Sequence, residues 1–397
     1  MKQKPHVYII ATGGTIAGQA ASPSATVGYK AGELTVGQLI ASVPGLDQLA
    51  DLSGEQLCNI DSKDMQESIW LQLARRVNEI AARSDVDGIV ITHGTDTMEE
   101  TAYFLQLAMQ TEKPVALTGA MRPASAISAD GPMNLWQAVK TAADENAKGR
   151  GVLVVMNGQI DAAKNVVKTN ANTLQTFRSV NSGPEGVIVG EKIFWQRKNY
   201  FFEEKNFPAV RENKIAQAPE NFSLKQNSDS LNKNFSSKNL CDIANKNFCL
   251  ATKYFFSTEN ISCLPDVKII YGYVGGDDQL FFNAALQNGA KGIVYAACGN
   301  GSVPEKLEDV LKKAASSGVP VVIASRCSEG IVVLSNEVKE NLHCIGSGTL
   351  NPQKAKILLQ LALTKTNDVN EIKKIFEDEW NHVPLCGMLQ KKITAEY

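Results

Sequence analysis

The chain has 397 residues, of which 44% are hydrophobic, and its 40 basic and 42 acidic residues leave a formal charge of −2. A chain of this length and apolar content can bury the cores of two or three domains. The near balance of charge gives no electrostatic case for binding nucleic acid or an anionic membrane, and no apolar run approaches the roughly 20 residues that cross a bilayer.

The cysteine pattern and the amino terminus bear on cofactors and compartment. None of the eight cysteines forms a CxxC pair, and no Cys/His spacing is typical of zinc. We therefore expect mostly reduced thiols, no metal and no cofactor. The chain runs from Met1 into its first strand without an apolar signal-type segment. This start predicts a cytoplasmic protein, or a periplasmic one if a signal peptide was removed before this numbering.

The first strong feature is an apolar run, residues 7–11, followed by Gly13 and Gly14. The run predicts a buried strand, and the glycine pair can lift the side chain of Thr15 out of its end. In α/β sheets ligands bind at this end of the strands. The turn lacks the third glycine of the dinucleotide fingerprint and the Lys-Ser/Thr of the phosphate loop. It favours Thr15 as a nucleophile, with an ordinary strand-to-helix turn as the alternative.

Strand and helix patterns alternate through most of the chain. In the first half, we predict strands at 88–92, 115–118 and 151–156, antiparallel structure within 186–195, and helices at 36–41, 99–109 and 134–144. Another helix, opened by a capping box of Asp64 and Glu67, carries an apolar face from Ile69 to Ile80. In the second half, we predict strands at 267–274, 292–297 and 319–324, and helices at 279–288, 305–316, 352–364 and 369–379.

This order of elements predicts an α/β fold, with two α/β domains of mainly parallel sheets joined by an enlarged linker. We place the N-terminal domain, which carries both candidate threonines, at 1–204 and the C-terminal domain at 264–380. Residues 205–263, rich in Asn, Lys and Ser, form the linker or insertion, because their apolar side chains are too few for a core of their own. Residues 381–397 are predicted to be a surface tail.

A second polar cluster follows the strand predicted at 88–92. Thr95, Asp96 and Thr97 either cap the next helix or line a site at the carboxyl end of the strand. A buried Asp96 would suit an ammonium ligand, because a carboxylate only accepts hydrogen bonds and pairs with a cation.

A threonine hydroxyl needs a base or a desolvated lysine to attack a carbonyl carbon at neutral pH. Of the four histidines, His93 alone adjoins a motif, and a histidine flanked by glycine is more often structural than a base. Lys168 lies between apolar and polar neighbours, and burial lowers the pKa of a lysine. The residues alone do not decide between these two partners.

Several runs carry a family resemblance when they are taken together. They are ATGGTIAG, NIDSKDM, ITHGTDTMEETAYFL, GAMRP with SADGPMNL, RGVLVVMN, KTN and GSGTLNPQKAKILLQLAL. In this order they resemble the bacterial type II L-asparaginases, including the glutaminase-asparaginases. The resemblance covers both α/β blocks, but neither the middle segment of about 205–263 nor the tail beyond Trp380.

The resemblance implies hydrolysis of L-asparagine to L-aspartate and ammonia through an acyl-enzyme. Thr15 would attack the side-chain amide carbon. Thr95 would join Asp96 and Lys168 in a hydroxyl-relay triad that positions water and stabilises the oxyanion. Tyr29 would assist proton transfer to and from Thr15.

The resemblance also implies a substrate pocket, a lid and an oligomer. Ser62 would hold the substrate α-carboxylate and Asp96 its α-amino group. Glu337 would reach the site from a neighbouring subunit of an intimate dimer, within a homotetramer. The loop of Tyr29 would close as a lid. Three glycines would give it freedom: Gly28, Gly32 and Gly37.

Two positions depart from the family pattern. Lys63, in the predicted substrate-binding set, stands where the family commonly has Gln or Glu, and it would repel the substrate ammonium unless it points to solvent or pairs with a carboxylate. Gly275 stands where relatives carry an Asn or Ser that touches the site. Both changes bear on affinity and selectivity more than on the reaction.

Two other functions compete with the asparaginase hypothesis. A dual glutaminase-asparaginase needs only to accept one more methylene, a difference worth about 1–3 kcal/mol in a pocket. An amino-acid-binding sensor would keep the pocket without turnover, but it would not need the complete set of Thr15, Thr95, Asp96 and Lys168.

Overall fold

Strands and helices alternate along the chain. The structure, a computed structural model, describes residues 4–19, 22, 24, 32–196 and 254–381. The strands are β1 (His6–Gly13), β2 (Asp51–Ile60), β3 (Gly88–Thr92), β4 (Val115–Thr118), β5 (Val152–Met156), β6 (Gln159–Ala162), β7 (Val166–Lys168), β8 (Phe177–Ser179), β9 (Gly186–Val189), β10 (Lys192–Trp195), β11 (Val267–Tyr271), β12 (Gly292–Ala297), β13 (Val321–Ser325) and β14 (Cys344–Gly346). The helices are α1 (Val36–Ala41), α2 (Leu46–Leu49), α3 (Glu67–Ala81), α4 (Met98–Ala108), α5 (Gly131–Ala142), α6 (Asp278–Gln287), α7 (Glu308–Ser316), α8 (Pro352–Leu363) and α9 (Val369–Asn381).

The first block is an eight-stranded sheet in the order β10-β9-β6-β5-β4-β3-β1-β2. Strands β1 to β5 are parallel, and Ile9 of β1 lies between Gly54 of β2 and Val90 of β3. The chain leaves β1 toward β2 on one side and later adds β3 on the other side. The switch point of the sheet therefore lies between the carboxyl ends of β1 and β3, where open α/β sheets bind ligands.

Two smaller sheets complete the described structure. Strands β11, β12, β13 and β14 form a parallel sheet in that order. Strands β7 and β8 form a two-stranded antiparallel ribbon, with Lys168 opposite Phe177. The mainly parallel α/β fold class predicted from the sequence is confirmed.

The side chains of β1 alternate between two layers of helices. Val7 and Ile9 pack with residues of α1, α2 and α5, whereas Tyr8 and Ile10 pack with residues of α3 and α4. Because both faces of the sheet are covered, its central strands are continuous apolar runs, as is typical of parallel sheets. This explains why the strands at 88–92, 115–118 and 292–297 were predicted with the bounds that the structure shows.

Helix α4 joins the two blocks. All of its residues except Glu100 are buried. Its core cluster continues into β12, β13, β14, α8 and α9. The helix that follows the second threonine motif is thus fixed on several sides.

The capping box predicted for α3 is wrong. The helix begins at Glu67, its N-cap Gln66 makes no side-chain cap hydrogen bond, and Asp64 ends a separate turn of 3₁₀ helix, Ser62–Asp64. The Glu67 carboxylate instead accepts hydrogen bonds from Lys356 Nζ (2.9 Å) and Gln360 Nε2 (2.7 Å) of α8. Glu67 therefore bonds to side chains of α8 and not to the start of its own helix.

Two further features differ from the expectations. Strand β2 was not predicted, because this ten-residue edge strand is only partly buried and contains polar residues instead of an apolar run. Gly37, assigned to a flexible loop, lies in α1, which a capping box of Thr35 and Gln38 holds at its start.

Residues 205–253 of the predicted linker and 382–397 of the predicted tail lie outside the described residues. Residues 254–263 pack against the fold: Phe256 is fully buried, and the Tyr254 hydroxyl donates to the Asp378 carboxylate at 2.5 Å. The division of the chain at 204, 263 and 380 stays a prediction. Among the described helices, none combines the length and apolar character needed to cross a bilayer.

Candidate active site

Three neighbouring parallel strands end at one edge of the large sheet, and a polar side chain follows each of them. Ser62 follows β2, Thr15 follows β1, and Thr95 with Asp96 follows β3. Ser62, Thr15 and Thr95 are all buried. The sheet order therefore brings together three motifs that lie far apart in the sequence.

The turn after β1 depends on two glycines. Gly13 has φ 109° and Gly14 has φ 83°, a region that favours glycine. A Cβ at Gly13 would clash with the Ile60 oxygen of β2, and a Cβ at Gly14 would clash with the Gly94 nitrogen. The turn is thus wedged between the ends of β2 and β3, and Thr15 opens a 3₁₀ turn, Thr15–Ala17, directly beyond it.

Thr12 ties the same strands together below the turn. Its hydroxyl donates to the Thr92 carbonyl at 2.9 Å, and Thr12 is 1% exposed. This is a structural role at the strand end, and it leaves Thr15 as the hydroxyl of the turn itself.

Ser62 organises the turn after β3. Its Oγ accepts the Asp96 N–H at 3.1 Å, and its carbonyl accepts the Thr97 hydroxyl at 2.8 Å. A Cβ at Gly94 would lie 2.5 Å from Ser62 Oγ. Gly94 therefore touches both Ser62 and Gly14, so the three strand ends are in contact at this residue.

Lys168 contacts the second threonine motif from the ribbon strand β7. Its Nζ donates to Thr95 Oγ1 at 3.0 Å and to Asp96 Oδ1 at 2.5 Å. The lysine side chain is 16% exposed and the Asp96 side chain 58% exposed. Asp96 is therefore not the buried carboxylate that the ammonium-ligand hypothesis assumed. It is paired with Lys168 at one oxygen and open to solvent.

His93 has a structural role. It is fully buried, and burial lowers its pKa to about 4. The Gly94 carbonyl can only accept, so Nδ1 carries the proton of the 2.7 Å bond between them. Nε2 then accepts from the Thr101 hydroxyl at 2.9 Å, and that hydroxyl accepts from Trp70 Nε1 at 2.8 Å. With both ring nitrogens engaged, His93 is no general base, and the lysine alternative is favoured.

The structure describes some of the remaining predicted residues but not others. Lys63 is exposed and its Nζ lies 2.7 Å from the Asp61 carboxylate, which raises the pKa of the lysine, so it meets the condition for not repelling an ammonium. Tyr29 and Gly28 lie outside the described residues. Glu337 begins a π-helical turn, Glu337–Asn341. Gly275 has φ 77°, and a Cβ there would meet no atom within 4 Å, so backbone conformation favours glycine there.

The chain leaves the Thr15 turn and returns to it. Gly32 donates its N–H to the Gly14 carbonyl at 3.3 Å, and Glu33 donates to the Ala17 carbonyl at 2.7 Å. Both ends of the segment that contains Tyr29 are thereby attached beside Thr15.

Glu99 is a site residue that was not predicted from the sequence. This carboxylate is 7% exposed, and it accepts the backbone N–H of Lys168. An acidic residue in the first turn of a helix ordinarily faces solvent and interacts with the helix dipole, so nothing local marked Glu99 as a buried contact. Within the described part of the chain, no three His, Cys, Asp or Glu side chains gather where a metal ion could bind.

Two sequence models of one protein family match the chain. The sequence model described as "Asparaginase, N-terminal" matches residues 6–201, and that of the "Glutaminase/Asparaginase C-terminal domain" matches residues 266–376. The chain belongs to the asparaginase family. The two family regions correspond to the blocks that carry the large sheet and the four-stranded sheet.

Relatives in the asparaginase family match over nearly the whole chain. The L-asparaginase 2 of Bacillus subtilis (strain 168) is 42% identical over 95% of this chain and 87% of its own length. The glutaminase-asparaginase of Pseudomonas fluorescens biotype A is 39% identical over 94% of this chain and 90% of its own. A crystal structure of a probable cytoplasmic L-asparaginase from Campylobacter jejuni is similar with a TM-score of 0.79 and 39% identity, covering 94% of this chain and 100% of the other.

Proposed function

We propose that the chain is an amidohydrolase that converts L-asparagine to L-aspartate and ammonia. The observation that carries the proposal is the contact of two threonine turns through Gly14 and Gly94, with the Lys168 ammonium bonded to the second threonine. A nucleophile, a charged relay and acceptor groups for an amino acid meet at one sheet edge, which is the set an amide hydrolysis needs.

Thr15 is the proposed nucleophile. Its Oγ forms a bond to the side-chain amide carbon, the C–N bond breaks, and the hydroxyl proton leaves with the amine as ammonia. Water then adds to the acyl-enzyme, and aspartate is released as the Thr15 hydroxyl is restored. Tyr29 is proposed to carry protons to and from Thr15 while its segment closes over the site.

Thr95, Asp96 and Lys168 form the proposed relay. Because Thr95 Oγ1 accepts from Lys168, its own hydrogen remains for donation to water or the developing oxyanion. The neighbouring ammonium strengthens that donor. Asp96 compensates the charge of Lys168 at Oδ1, and its exposure leaves the carboxylate accessible to the substrate ammonium.

Ser62 and Glu337 complete the proposed substrate pocket. Ser62 Oγ accepts the Asp96 N–H. Ser62 would therefore bind the α-carboxylate and also orient Asp96, which would bind the α-amino nitrogen. Glu337 is proposed to contribute from a neighbouring subunit. Lys63 is proposed to remain at the rim, paired with Asp61.

Replacing Thr15 tests the nucleophile. Thr15→Ala should lower kcat by several orders of magnitude while aspartate still binds, because only the attacking oxygen is lost. Thr15→Ser keeps the hydroxyl and should retain part of the rate. Ammonia release measured separately with asparagine and glutamine gives both rates. Wild-type turnover by Thr15→Ala would exclude the assignment.

The same assay separates the competing functions. A clear rate with glutamine would make the protein a dual glutaminase-asparaginase, which is the name that the Pseudomonas relative carries. Binding of asparagine without ammonia from either substrate would make it a sensor. The full set of predicted reactive residues disfavours the sensor. We favour asparagine as the substrate because relatives that are 41–42% identical carry the name L-asparaginase 2.

We further propose a homotetramer of intimate dimers and a cytoplasmic location. Exposed apolar side chains around β11 and α6, among them Tyr271, Tyr273, Val274, Leu280 and Phe281, support burial of this surface between subunits. Light scattering after gel filtration tests the mass, and cell fractionation tests the location. Relatives carry both descriptions, a probable periplasmic L-asparaginase from Haemophilus influenzae and the cytoplasmic one from Campylobacter jejuni.

A further inference from the structure

Lys168 lies at the end of a very short element. Strands β7 and β8 have three residues each, and among the described strands they pair only with each other. A two-stranded ribbon is marginally stable by itself. Yet the Lys168 ammonium has to be held within hydrogen-bond distance of Thr95 and Asp96. Contacts outside the ribbon must therefore fix its backbone.

Glu99 supplies the first of these contacts. Its Oε2 accepts the Lys168 N–H, and its Oε1 accepts Asn351 Nδ2 at 2.9 Å. Both partners are donors, so an acceptor-only carboxylate is the group that suits the position. Glu99 lies in the first turn of α4, directly after the motif of Thr95 and Asp96. The helix that starts at the motif thus also binds the backbone of the lysine.

Lys354 supplies the second contact. It is 1% exposed, and its Nζ donates to the carbonyls of Lys164 at 3.0 Å and Val166 at 2.5 Å. Burial lowers the pKa of Lys354 to about 8, although Glu99, Asp161 and Glu100 oppose the shift. A buried ammonium is costly unless it is fully hydrogen-bonded, so its position is restricted to one geometry.

Asn351 connects the two contacts. It is the N-cap of α8, where its Oδ1 accepts the Lys354 N–H at 3.0 Å while its Nδ2 donates to Glu99. The contacts form a closed path that begins and ends at Asn351. It runs through Glu99, the backbone of β7 from Lys168 to Val166, and Lys354. Each link is a hydrogen bond or a short stretch of chain.

We propose that Asn351 and Lys354 are positioning residues that set the place of the Lys168 ammonium through this closed path. The inference rests on the proposed function, in which Lys168 serves the relay. In this proposal the C-terminal block takes part in the active site of its own chain. The motif that contains Asn351 and Lys354 both starts α8 and positions Lys168.

Lys354→Met tests the proposal, because the methionine keeps apolar bulk but loses the hydrogen bonds of the ammonium to the Val166 carbonyl of β7 and to the Lys164 carbonyl just before the strand. A misplaced group remote from the chemistry can lower rates strongly, and we expect kcat for asparagine to fall about 10- to 100-fold. KM should stay within about twofold, because Ser62 Oγ still accepts the Asp96 N–H and this contact involves neither Lys354 nor β7. The matched control is Lys356→Met on the same helix. Its ammonium pairs with Glu67 at 2.9 Å and does not bond β7, so its kcat should be unchanged.

Asn351→Ser gives a second variant that should fold even if Lys354→Met does not. Serine retains the cap but lacks the amide donor to Glu99. We expect lower kcat, unchanged KM and faster hydrogen exchange of the Lys168 amide, none of which Lys356→Met should show. Folded variants with wild-type kcat, or with kcat and KM both altered as in a general loss of structure, would overturn the inference. A wild-type protein that releases no ammonia would instead refute the proposed function.

Discussion

Single residues determine how closely the strand ends approach each other. A Cβ at Gly94 would lie 2.5 Å from Ser62 Oγ, and a Cβ at Gly14 would clash with the Gly94 backbone, so neither glycine can carry a side chain unless its neighbour moves. The close approach is what brings the turn of Thr15 next to the turn of Thr95. Glycine at this position is therefore needed for space, whereas at Gly13 and Gly14 it is needed for both space and backbone conformation.

Gly94→Ala should disturb the site more than the fold. The added Cβ lies 2.5 Å from Ser62 Oγ, and such overpacking typically costs about 1–3 kcal/mol of unfolding free energy. Displacement of Ser62 should raise KM for asparagine by about tenfold or more, since Ser62 and the Asp96 that it orients are the groups that we propose to bind the substrate. Steady-state kinetics and urea unfolding measure the two effects.

Gly37→Ala is the matched control for Gly94→Ala. Nothing lies within 4 Å of a Cβ at Gly37, which is exposed in α1. Alanine should stabilise the helix by about 0.5–1 kcal/mol and leave KM unchanged. An unchanged KM in Gly94→Ala would mean that Ser62 does not hold the substrate or that it adjusts freely.

At the scale of elements, the junction of β3 with α4 is held by a buried polar path. Trp70 of α3, Thr101 of α4 and His93 after β3 are linked by hydrogen bonds that end on the Gly94 carbonyl. Since each donor has an acceptor, the path is satisfied without a charge on the imidazole. The junction therefore depends on His93 remaining neutral.

This dependence predicts a loss of stability in acid. The pKa of His93 is about 4 in the folded chain and about 6.5 when unfolded, so between these values only the unfolded state takes up the proton. Stability is complete above about pH 6.5 and falls as the pH drops toward 4, by up to about 3 kcal/mol from this group. Urea unfolding at several pH values gives the free energy of unfolding as a function of pH. This free energy should fall less steeply with decreasing pH in His93→Gln than in the wild type. Parallel slopes would refute the assignment.

At the scale of the whole molecule, one core links the two α/β blocks. Buried residues of α3 and α4 belong to the same cluster as those of β12 to β14, α8 and α9. Phe256, from a segment rich in polar residues, is part of this cluster, and the Lys365 ammonium lies 4.3 Å from the centre of its ring. Arg75 of α3 also donates to the Thr258 and Ile261 carbonyls.

Phe256→Ala should destabilise the molecule although its surroundings in sequence resemble a linker. Truncation of a fully buried phenylalanine typically costs about 3–5 kcal/mol. Phe281→Ala, at a side chain that is 45% exposed, should cost far less in the isolated chain. Denaturant unfolding of both variants gives the comparison. Equal costs would mean that residues 254–263 contribute little to the common core.

The sequence alone determined most of the architecture and marked the residues that we propose to be reactive. Central strands were predicted because their β-branched runs are continuous, and amphipathic helices because their apolar residues recur with the helical period. The two threonine turns were identified by their glycines and hydroxyls and by the family resemblance. These signals are encoded in neighbouring residues, so they can be read along the chain.

Only the tertiary structure decided what surrounds those residues. It showed that β2 is a strand, that Asp96 is exposed and paired with Lys168, and that His93 is enclosed in a neutral network. It also showed that Glu99, Asn351 and Lys354 hold the strand of Lys168. Glu99 lies 69 residues from Lys168, and Lys354 lies 188 residues from Val166. These side chains meet the backbone of β7 only after the sheets and α8 have packed, so no local sequence pattern encodes their hydrogen bonds.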